Sequence, residues 1–299
     1  KIFTKKQYKC KDINEKTIDT QVSISSKNDE NKSDRFSLYD AVENLWDTPE
    51  KWHCVLVGDG GMGKTTSLLK LWEKFLNGNK QSPIPVFLSL ERYNQVSEEQ
   101  KKDFIWNILP QEYHPYYPYP SSEELKEIKN QFARINKVND KEIPSVILLL
   151  DGFNELAIDK RELLLCLNEI RKLKGVQIII SSRYDMRNNL NWPEFELLKL
   201  EDLTDTQIKD FITANSIKFR KELLDKLPLL RNPMMLTLYC GIEREMNINR
   251  GKEVYDFIPD VRYKAEMFHN FIVSSLARLD RQTGSESDKV LHRLYLNHL

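Results

Sequence analysis

The sequence lacks the cysteine and histidine patterns that build metal centres or disulfide frameworks. Its four cysteines, Cys10, Cys54, Cys166 and Cys240, are widely separated, and its five histidines form no group with ligand spacing. Dense disulfides are typical of small secreted domains, whereas scattered thiols are typical of a reducing compartment. We therefore expect unpaired thiols, no zinc-binding pattern and a cytoplasmic location.

Neither sign of charge prevails, and no long apolar run occurs. The 45 Lys and Arg residues balance 45 Asp and Glu residues, so the net charge indicates neither a nucleic-acid partner nor an acidic substrate. Five lysines lie within residues 1–11, and we interpret them as a solvated tail. No segment approaches the roughly 18 apolar residues of a membrane helix, and no signal-peptide pattern occurs.

What the sequence does contain is an alternation of apolar strand patterns with helical patterns. Residues 1–34 are polar and predict a flexible lead-in. The alternation that follows predicts an α/β fold with a doubly wound, mostly parallel sheet over residues 35–202. Only helical patterns follow, as a helical domain at 203–250 and a further helical region at 251–299. Strand patterns lie at 53–58, 84–90, 145–151, 175–183 and 195–203, and helical patterns between them at about 97–109, 121–136 and 157–173.

The segment GDGGMGKT, residues 58–65, matches the phosphate-binding pattern G-x-x-x-x-G-K-[ST]. Its glycines let the backbone point amide groups at phosphate oxygens, and the following helix presents its positive end. We expect Lys64 to bind the β- and γ-phosphates and the Thr65 hydroxyl to bind Mg²⁺. The predicted nucleotide-binding residues of the loop are Gly58, Asp59, Gly60, Gly61, Met62, Gly63, Lys64, Thr65 and Thr66.

Charged residues stand where two other apolar strand patterns end. Asp151 follows VILLL, and in phosphate-loop proteins an Asp at this place holds Mg²⁺ with the loop hydroxyl, here Thr65. Glu155 is placed to orient or deprotonate an attacking water. Arg183 ends VQIIISSR, where the ends of parallel strands meet a ligand, so it is predicted to reach the γ-phosphate. A strand-end cap for Asp151 and a surface salt bridge for Arg183 are the structural alternatives.

Two further segments bear on ligand or partner binding. NKVND, residues 136–140, is similar to the guanine-binding pattern N-K-x-D, but Asn139 stands where Asp is required and the segment is predicted to end a helix. We therefore predict adenine rather than guanine. In YHPYYPYP, residues 113–120, the prolines exclude a helix. Its aromatic rings either pack within the domain or form a docking site for a partner, and the sequence leaves both roles open.

Together these segments resemble the NACHT family, a branch of the STAND class of P-loop ATPases. The residues that carry the resemblance run from about Phe36 to near the end of the chain, and DGFNE, residues 151–155, is the most specific element. Members usually have a second acidic residue where this chain has Asn154, which argues against strong hydrolysis. The segments are LVGDGGMGKTT, IPVFLSL, VILLLDGFNEL, VQIIISSR, LEDLTDTQIKDFI and LLRNPMMLTLYC.

The resemblance implies an ATP/ADP switch of a bacterial-type immune or antiphage receptor, which exchanges nucleotide, hydrolyses it slowly and self-associates on activation. It implies that Pro233 packs near the adenine, and that residues 251–299 begin a winged-helix domain. Relatives add an effector and a sensor domain that we do not recognise in this sequence, which starts with Lys rather than Met. We therefore expect a piece of a longer receptor.

Two other functions are compatible with the phosphate loop. An ATPase motor of the AAA+ type would turn over rapidly as a ring. A scaffold that binds nucleotide only for stability would keep one shape and one oligomer with ATP and with ADP. A small-molecule kinase is disfavoured because no Arg-rich lid segment is present.

Overall fold

The protein is described by a computed structural model that covers residues 21–24, 35–48, 52–78, 81–113, 120–156, 159–218 and 227–249. The chain divides into two compact units, with Glu201 in the first and Asp202 in the second. Most of the predicted lead-in, residues 114–119 of the aromatic loop and the predicted winged-helix region at 251–299 lie outside the described residues.

The first unit is a sheet with helices on both faces. Its strands are β1 (Gln21–Ile24), β2 (Arg35–Ser37), β3 (Cys54–Val57), β4 (Ile84–Ser89), β5 (Ile135–Val138), β6 (Lys141–Pro144), β7 (Val146–Asp151), β8 (Val176–Ser182) and β9 (Glu196–Leu200). Its helices are α1 (Leu38–Asn44), α2 (Lys64–Leu76), α3 (Glu98–Lys101), α4 (Phe104–Tyr113), α5 (Ser122–Ala133), α6 (Arg161–Ile170) and α7 (Arg187–Leu190). Short 3₁₀ turns occupy Leu45–Asp47, Leu90–Gln95 and Phe153–Glu155.

The main sheet has seven strands in the order β2-β1-β9-β3-β8-β7-β4. The five strands from β9 to β4 are parallel to their neighbours, while β1 and β2 add antiparallel pairing at the β9 side. This arrangement confirms the predicted α/β fold with a mostly parallel sheet. Because β8 lies between β3 and β7, residues at its end lie between the predicted phosphate-binding loop and Asp151.

Alternating side chains of each central strand enter two separate cores. In β7, Val146, Leu148 and Leu150 pack in one core, while Ile147 and Leu149 pack in the other. The second core also contains Leu68, Leu71 and Phe75 of α2, and the first is covered by α4 and α6. A strand buried on both faces needs apolar residues at every position, which explains its uninterrupted apolar sequence.

The lead-in prediction is wrong for residues 21–24. They form β1, which pairs antiparallel with β9 through Val22 and Leu200, and Val22 is fully buried. A four-residue strand in a polar segment carries little local signal. Its pairing with the edge of the sheet, which a local pattern does not contain, decides its structure.

The helix predicted at about 121–136 ends at Ala133 instead. Residues 135–144 form the antiparallel hairpin β5–β6, whose turn residues Asn139 and Asp140 have φ of 50° and 63°. NKVND is therefore a strand and a hairpin turn rather than the end of a helix. The helix predicted at about 97–109 is two helices, because Asp103 with φ of 53° interrupts it.

Buried polar groups join the start of β3 to β8. His53 is buried, its Nδ1 accepts a hydrogen bond from the Ile178 amide at 3.1 Å, and its Nε2 lies 3.1 Å from the Arg171 carbonyl oxygen. This pattern places the proton on Nε2 of a neutral ring. Burial lowers the pKa of His53 to about 4. Gln177, also fully buried, bonds to the Trp46 indole and the Trp52 carbonyl.

The second unit is helical, with α8 (Asp205–Ala214), α9 (Leu227–Leu230) and α10 (Pro233–Asn249). Thr204 and Gln207 form a reciprocal capping box at the start of α8. The core of this unit packs α8 against α10 through residues such as Ile208, Ile212 and Leu236. In the described part of the chain, no helix combines the length and apolarity that a lipid bilayer requires.

Candidate functional site

The predicted phosphate-binding loop connects β3 to α2. Gly61 and Gly63 have φ of 79° and 85°, a left-handed conformation that residues with a Cβ rarely adopt. Met62 is buried in the core beneath the loop. Gly63 occupies the cap position of α2 and has no side chain that could bond to the first amide groups of the helix. The loop is thus anchored to the sheet while the amide groups of α2 stay available to an anion.

Lys64 begins α2 and folds back onto the loop. Its Nζ donates to the carbonyl oxygens of Gly58 at 2.6 Å and Asp59 at 3.0 Å. Partial burial lowers the pKa of Lys64, the Arg183 guanidinium lowers it further, and Asp151, Asp59 and Glu155 act against both. The charged residues that the sequence predicted are therefore within electrostatic reach of one ammonium group.

The two predicted metal ligands lie side by side. The Thr65 hydroxyl donates to Oδ2 of Asp151 at 2.7 Å, although the two residues are 86 positions apart. The other carboxylate oxygen, Oδ1, accepts from the Ser181 hydroxyl at 2.5 Å. Asp151 ends β7 and Thr65 lies in the first turn of α2, so the parallel sheet brings both to the same edge.

A tight turn follows Asp151 and holds the other predicted catalytic residues. Gly152 has φ of 85°, and the Glu155 amide closes the turn by donating to the Gly152 carbonyl at 2.8 Å. The Glu155 carboxylate folds over Gly152, since a Cβ at Gly152 would lie 2.9 Å from Glu155 Oε2. Asn154 Oδ1 accepts from the Arg183 amide at 3.1 Å. The turn after β7 is therefore bonded directly to the end of β8.

The donors at this edge fit a hard divalent cation and an anion. Mg²⁺ prefers oxygen ligands and is usually bound through one or two carboxylates together with phosphate oxygens and water. Thr65 and Asp151 supply a hydroxyl and a carboxylate 2.7 Å apart. Among the described residues, no group of three His, Cys, Asp or Glu side chains could bind a metal ion. Lys64 and Arg183 supply the positive charge that phosphates require.

Pro233 lies at the first position of α10. Asn232 precedes it and accepts hydrogen bonds from the amides of Met234 and Met235 at 3.0 Å and 3.3 Å. Pro suits this position because the first amide of a helix has no partner within it. Pro233 belongs to the second unit, and its predicted contact with adenine stays a prediction.

Sequence reasoning missed two polar residues of the site. Ser181 holds Asp151, and Asn94, in the turn after β4, donates to the Glu155 carbonyl oxygen at 2.8 Å. Each lies at or after the end of an apolar strand pattern, at the edge where the predicted ligand-binding residues meet. Two serines stand between the apolar run of β8 and Arg183, and Ser181 is the first of them, which is the signal that the sequence offers.

A family model matches more than half of the chain. The model is described as the NACHT domain, and it matches residues 53–219 of the 299. This match covers β3, the loop, Asp151, Arg183 and all of α8. No curated protein matches the chain.

Solved structures that are similar to the chain include a RuvB variant and a Drosophila ORC complex. A RuvB variant of Thermotoga maritima is 12% identical with a TM-score of 0.43, and the match covers 79% of this chain and 68% of that chain. A chain in the structure of Drosophila ORC bound to DNA is 12% identical with a TM-score of 0.42, and the match covers 79% of this chain and 60% of that chain. The chain therefore spans less than two thirds of the ORC chain, and both likenesses are too distant to indicate a function.

Proposed function

Because the chain belongs to the NACHT domain family, we propose that it is an ATP- and ADP-binding switch that uses Mg²⁺. The observation that carries this proposal is the 2.7 Å hydrogen bond between Thr65 and Asp151. It brings the loop hydroxyl and the strand-end carboxylate together beside Lys64. Phosphate-loop proteins use these three groups to hold a metal and the terminal phosphates.

Arg183 and Lys64 would distinguish ATP from ADP. Both are cationic, and Arg183 lowers the pKa of Lys64, which indicates that their charges repel each other. A γ-phosphate between them would relieve that repulsion, whereas ADP lacks the group that does so. The two nucleotides would therefore stabilise different arrangements of the site, which is the physical requirement for a switch.

Hydrolysis would be slow and would reset the switch. Glu155 supplies one exposed carboxylate that could orient a water molecule or accept a proton from it. The neighbouring position is Asn154, whose amide oxygen is engaged by the Arg183 amide. An amide cannot act as a general base, so Glu155 would act without a second carboxylate at this place.

We place the switch in innate immune or antiphage defence, following the family resemblance of the sequence. Exchange of ADP for ATP would control self-association of the longer receptor and signalling by its effector. Magnesium, when bound, would neutralise charge on the phosphate oxygens. Thr65 and Asp151 would hold it, and the loop amides and Lys64 would hold the phosphates.

Nucleotide binding to Lys64→Ala tests the site assignment. Loss of a charged hydrogen-bond donor typically costs about 1.5–3 kcal/mol, so ATP and ADP affinity should fall by roughly 10- to 100-fold. Isothermal titration calorimetry on the full chain measures both. Lys74→Ala is the matched control, because Lys74 lies further along α2 and contacts the Tyr39 ring. Wild-type affinity in Lys64→Ala would overturn the assignment.

Steady-state turnover and oligomeric state separate the switch from its rivals. A rate of many ATP molecules per second would favour a motor. The same shape and the same oligomer with ATP and with ADP would favour a scaffold stabilised by nucleotide. A slow rate together with nucleotide-dependent assembly supports the switch.

A further inference from the structure

Ser181 is a fully buried hydroxyl that the proposed chemistry does not otherwise use. It lies in β8, and its exposed fraction is 0%. Its Oγ makes two hydrogen bonds, donating to Asp151 Oδ1 at 2.5 Å and accepting from the Gly152 amide at 2.9 Å. A hydroxyl has one proton, so these two bonds assign its donor to Asp151 and an acceptor lone pair to Gly152.

The sheet geometry explains why Ser181 reaches Asp151. The ladder between β7 and β8 pairs Leu150 with Ile180, so Asp151 and Ser181 are the next residues of the two strands. Side chains alternate along a strand, so both follow Leu149 and Ile179 onto the face where α2 packs. Thr65, in the first turn of α2, lies on that same face.

The two oxygens of the Asp151 carboxylate have separate partners. Oδ1 accepts from Ser181, and Oδ2 accepts from Thr65. The Ser181 bond therefore fixes the rotation of the carboxylate and directs Oδ2 towards the loop hydroxyl.

We propose that Ser181 is a positioning residue for the divalent cation, which acts by holding the Asp151 carboxylate with Oδ2 towards Thr65. The proposal rests on the proposed Mg²⁺–nucleotide function of this site. Partners that orient a metal ligand typically contribute 10- to 100-fold in metal affinity or activity. Ser181 should therefore set how much Mg²⁺ the protein needs to bind ATP, and should not set how well nucleotide binds without metal.

Ser182 supplies a matched control on the same strand. It is also fully buried, but it points to the opposite face, where its Oγ accepts from the Tyr184 amide at 3.4 Å. Ser182→Ala thus removes a buried hydroxyl from β8 without removing a contact to Asp151. Ser181→Thr keeps the hydroxyl, and Ser181→Cys keeps the volume with a much weaker donor.

The test is ATP binding by calorimetry on the full chain at a series of MgCl₂ concentrations and in excess EDTA. For Ser181→Ala we expect the half-saturating Mg²⁺ concentration to rise roughly 10-fold or more, with ATP affinity in EDTA within about twofold of wild type. In Ser181→Thr, the half-saturating Mg²⁺ concentration should return most of the way to the wild-type value. In Ser182→Ala, it should equal the wild-type value. If Ser181→Ala does not fold, as circular dichroism would reveal, Ser181→Cys is the variant compared.

The outcomes separate this inference from the function on which it rests. One outcome is that wild type shows Mg²⁺-dependent ATP binding while Ser181→Ala or Ser181→Cys has the same half-saturating Mg²⁺ concentration. That result overturns the role of Ser181 alone. Equal losses in EDTA and in Mg²⁺ also overturn it, because they indicate a structural defect. A wild-type chain without Mg²⁺-dependent nucleotide binding overturns both. Direct titration with Mn²⁺, followed by electron paramagnetic resonance, gives a second readout that does not depend on turnover.

Discussion

At the scale of single residues, Asn154 lacks the carboxylate that is usual at this position in the family, but its side chain makes a structural contact. Its side-chain oxygen accepts from the Arg183 amide, so it bonds the turn after β7 to the residue predicted to reach the γ-phosphate. Asn and Asp can both accept this bond, but only Asp adds a negative charge. The residue type at position 154 therefore tunes the charge of the site while either type could keep Arg183 in place.

Substitutions of Asn154 should separate its contact from its charge. Asn154→Ala removes the acceptor, and we expect it to weaken discrimination between ATP and ADP by roughly 5- to 10-fold, the effect of about 1 kcal/mol. Asn154→Asp keeps the acceptor and should retain most of that discrimination. Competition between the two nucleotides in calorimetry measures both variants. Equal discrimination in Asn154→Ala and wild type would show that the contact does not position Arg183.

His53 should make the stability of the fold depend on pH. Its folded pKa of about 4 lies below the usual 6.5 because the ring is buried. Between these two values the unfolded chain binds a proton that the folded chain does not, so the free energy of unfolding falls as the pH falls. At 1.36 kcal/mol per pKa unit, the full shift corresponds to about 3 kcal/mol, of which about 2 kcal/mol is lost between pH 7.5 and pH 5.

Urea unfolding of wild type and His53→Gln at a series of pH values measures this contribution. Gln does not titrate, so the difference between the two chains isolates His53 from the other histidines. The wild-type chain should lose its advantage as the pH falls from about 6.5 towards 5. Parallel pH profiles for the two chains would contradict the neutral, buried ring.

At the scale of secondary-structure elements, β1 is the part of the sheet that local sequence does not indicate. A chain that begins at residue 35, at the predicted domain boundary, would leave β9 unpaired on one side and remove Val22 from the core. Losing the burial of one Val together with its strand pairing should lower the free energy of unfolding by roughly 2–4 kcal/mol. We expect thermal unfolding of such a chain at a lower temperature than that of the full chain.

A chain that begins at Gln21 is the matched control, because it keeps β1 and the whole ladder with β9. Its melting temperature should lie near that of the full chain. If the chains that begin at 21 and at 35 melt at the same temperature, β1 does not stabilise the sheet. Differential scanning calorimetry compares the three chains under one set of conditions.

The elements that the sequence predicted well are those whose signal is local. β7 and β8 are apolar at nearly every position because both faces are covered, and that pattern is visible without knowing the neighbours. The hairpin β5–β6 and the strand β1 are four-residue strands, and their polar composition is typical of loops. Their structure depends on pairing with distant or following residues, which a local pattern does not contain.

The candidate site divides in the same way. The loop from Gly58 to Thr65 has a spacing that phosphate chemistry demands, so it could be predicted from eight residues. The bonds from Ser181 to Asp151 and from Arg183 to Asn154 join residues 30 and 29 positions apart. They depend on β7 and β8 being neighbours with a particular register, which the alternation of strands and helices left undetermined.

At the scale of the whole molecule, nucleotide should stabilise the folded chain by mass action. With ligand at 100 times its Kd the gain is about 2.7 kcal/mol, which corresponds to a rise in melting temperature of roughly 5–10 °C for a unit of this size. ATP and ADP with Mg²⁺ should both produce it. GTP should produce a clearly smaller rise, because we predict adenine specificity.

Lys64→Ala should lose most of this rise, and Lys74→Ala should keep it. Scanning fluorimetry at equal nucleotide concentrations makes the comparison for all three nucleotides. A GTP shift equal to that of ATP would contradict adenine specificity, and an ATP shift that persists in Lys64→Ala would place the nucleotide elsewhere on the chain.

The Gly152 amide has a consequence for how the site can be observed. Its proton is held by Ser181 Oγ, in the turn directly after β7. Exchange of that proton with deuterium requires the turn to separate from β8, whereas exchange within β7 and β8 requires the sheet itself to open. The exchange rate of the Gly152 amide therefore reports how often the turn that follows Asp151 separates from β8. It can be measured before any nucleotide or metal is added.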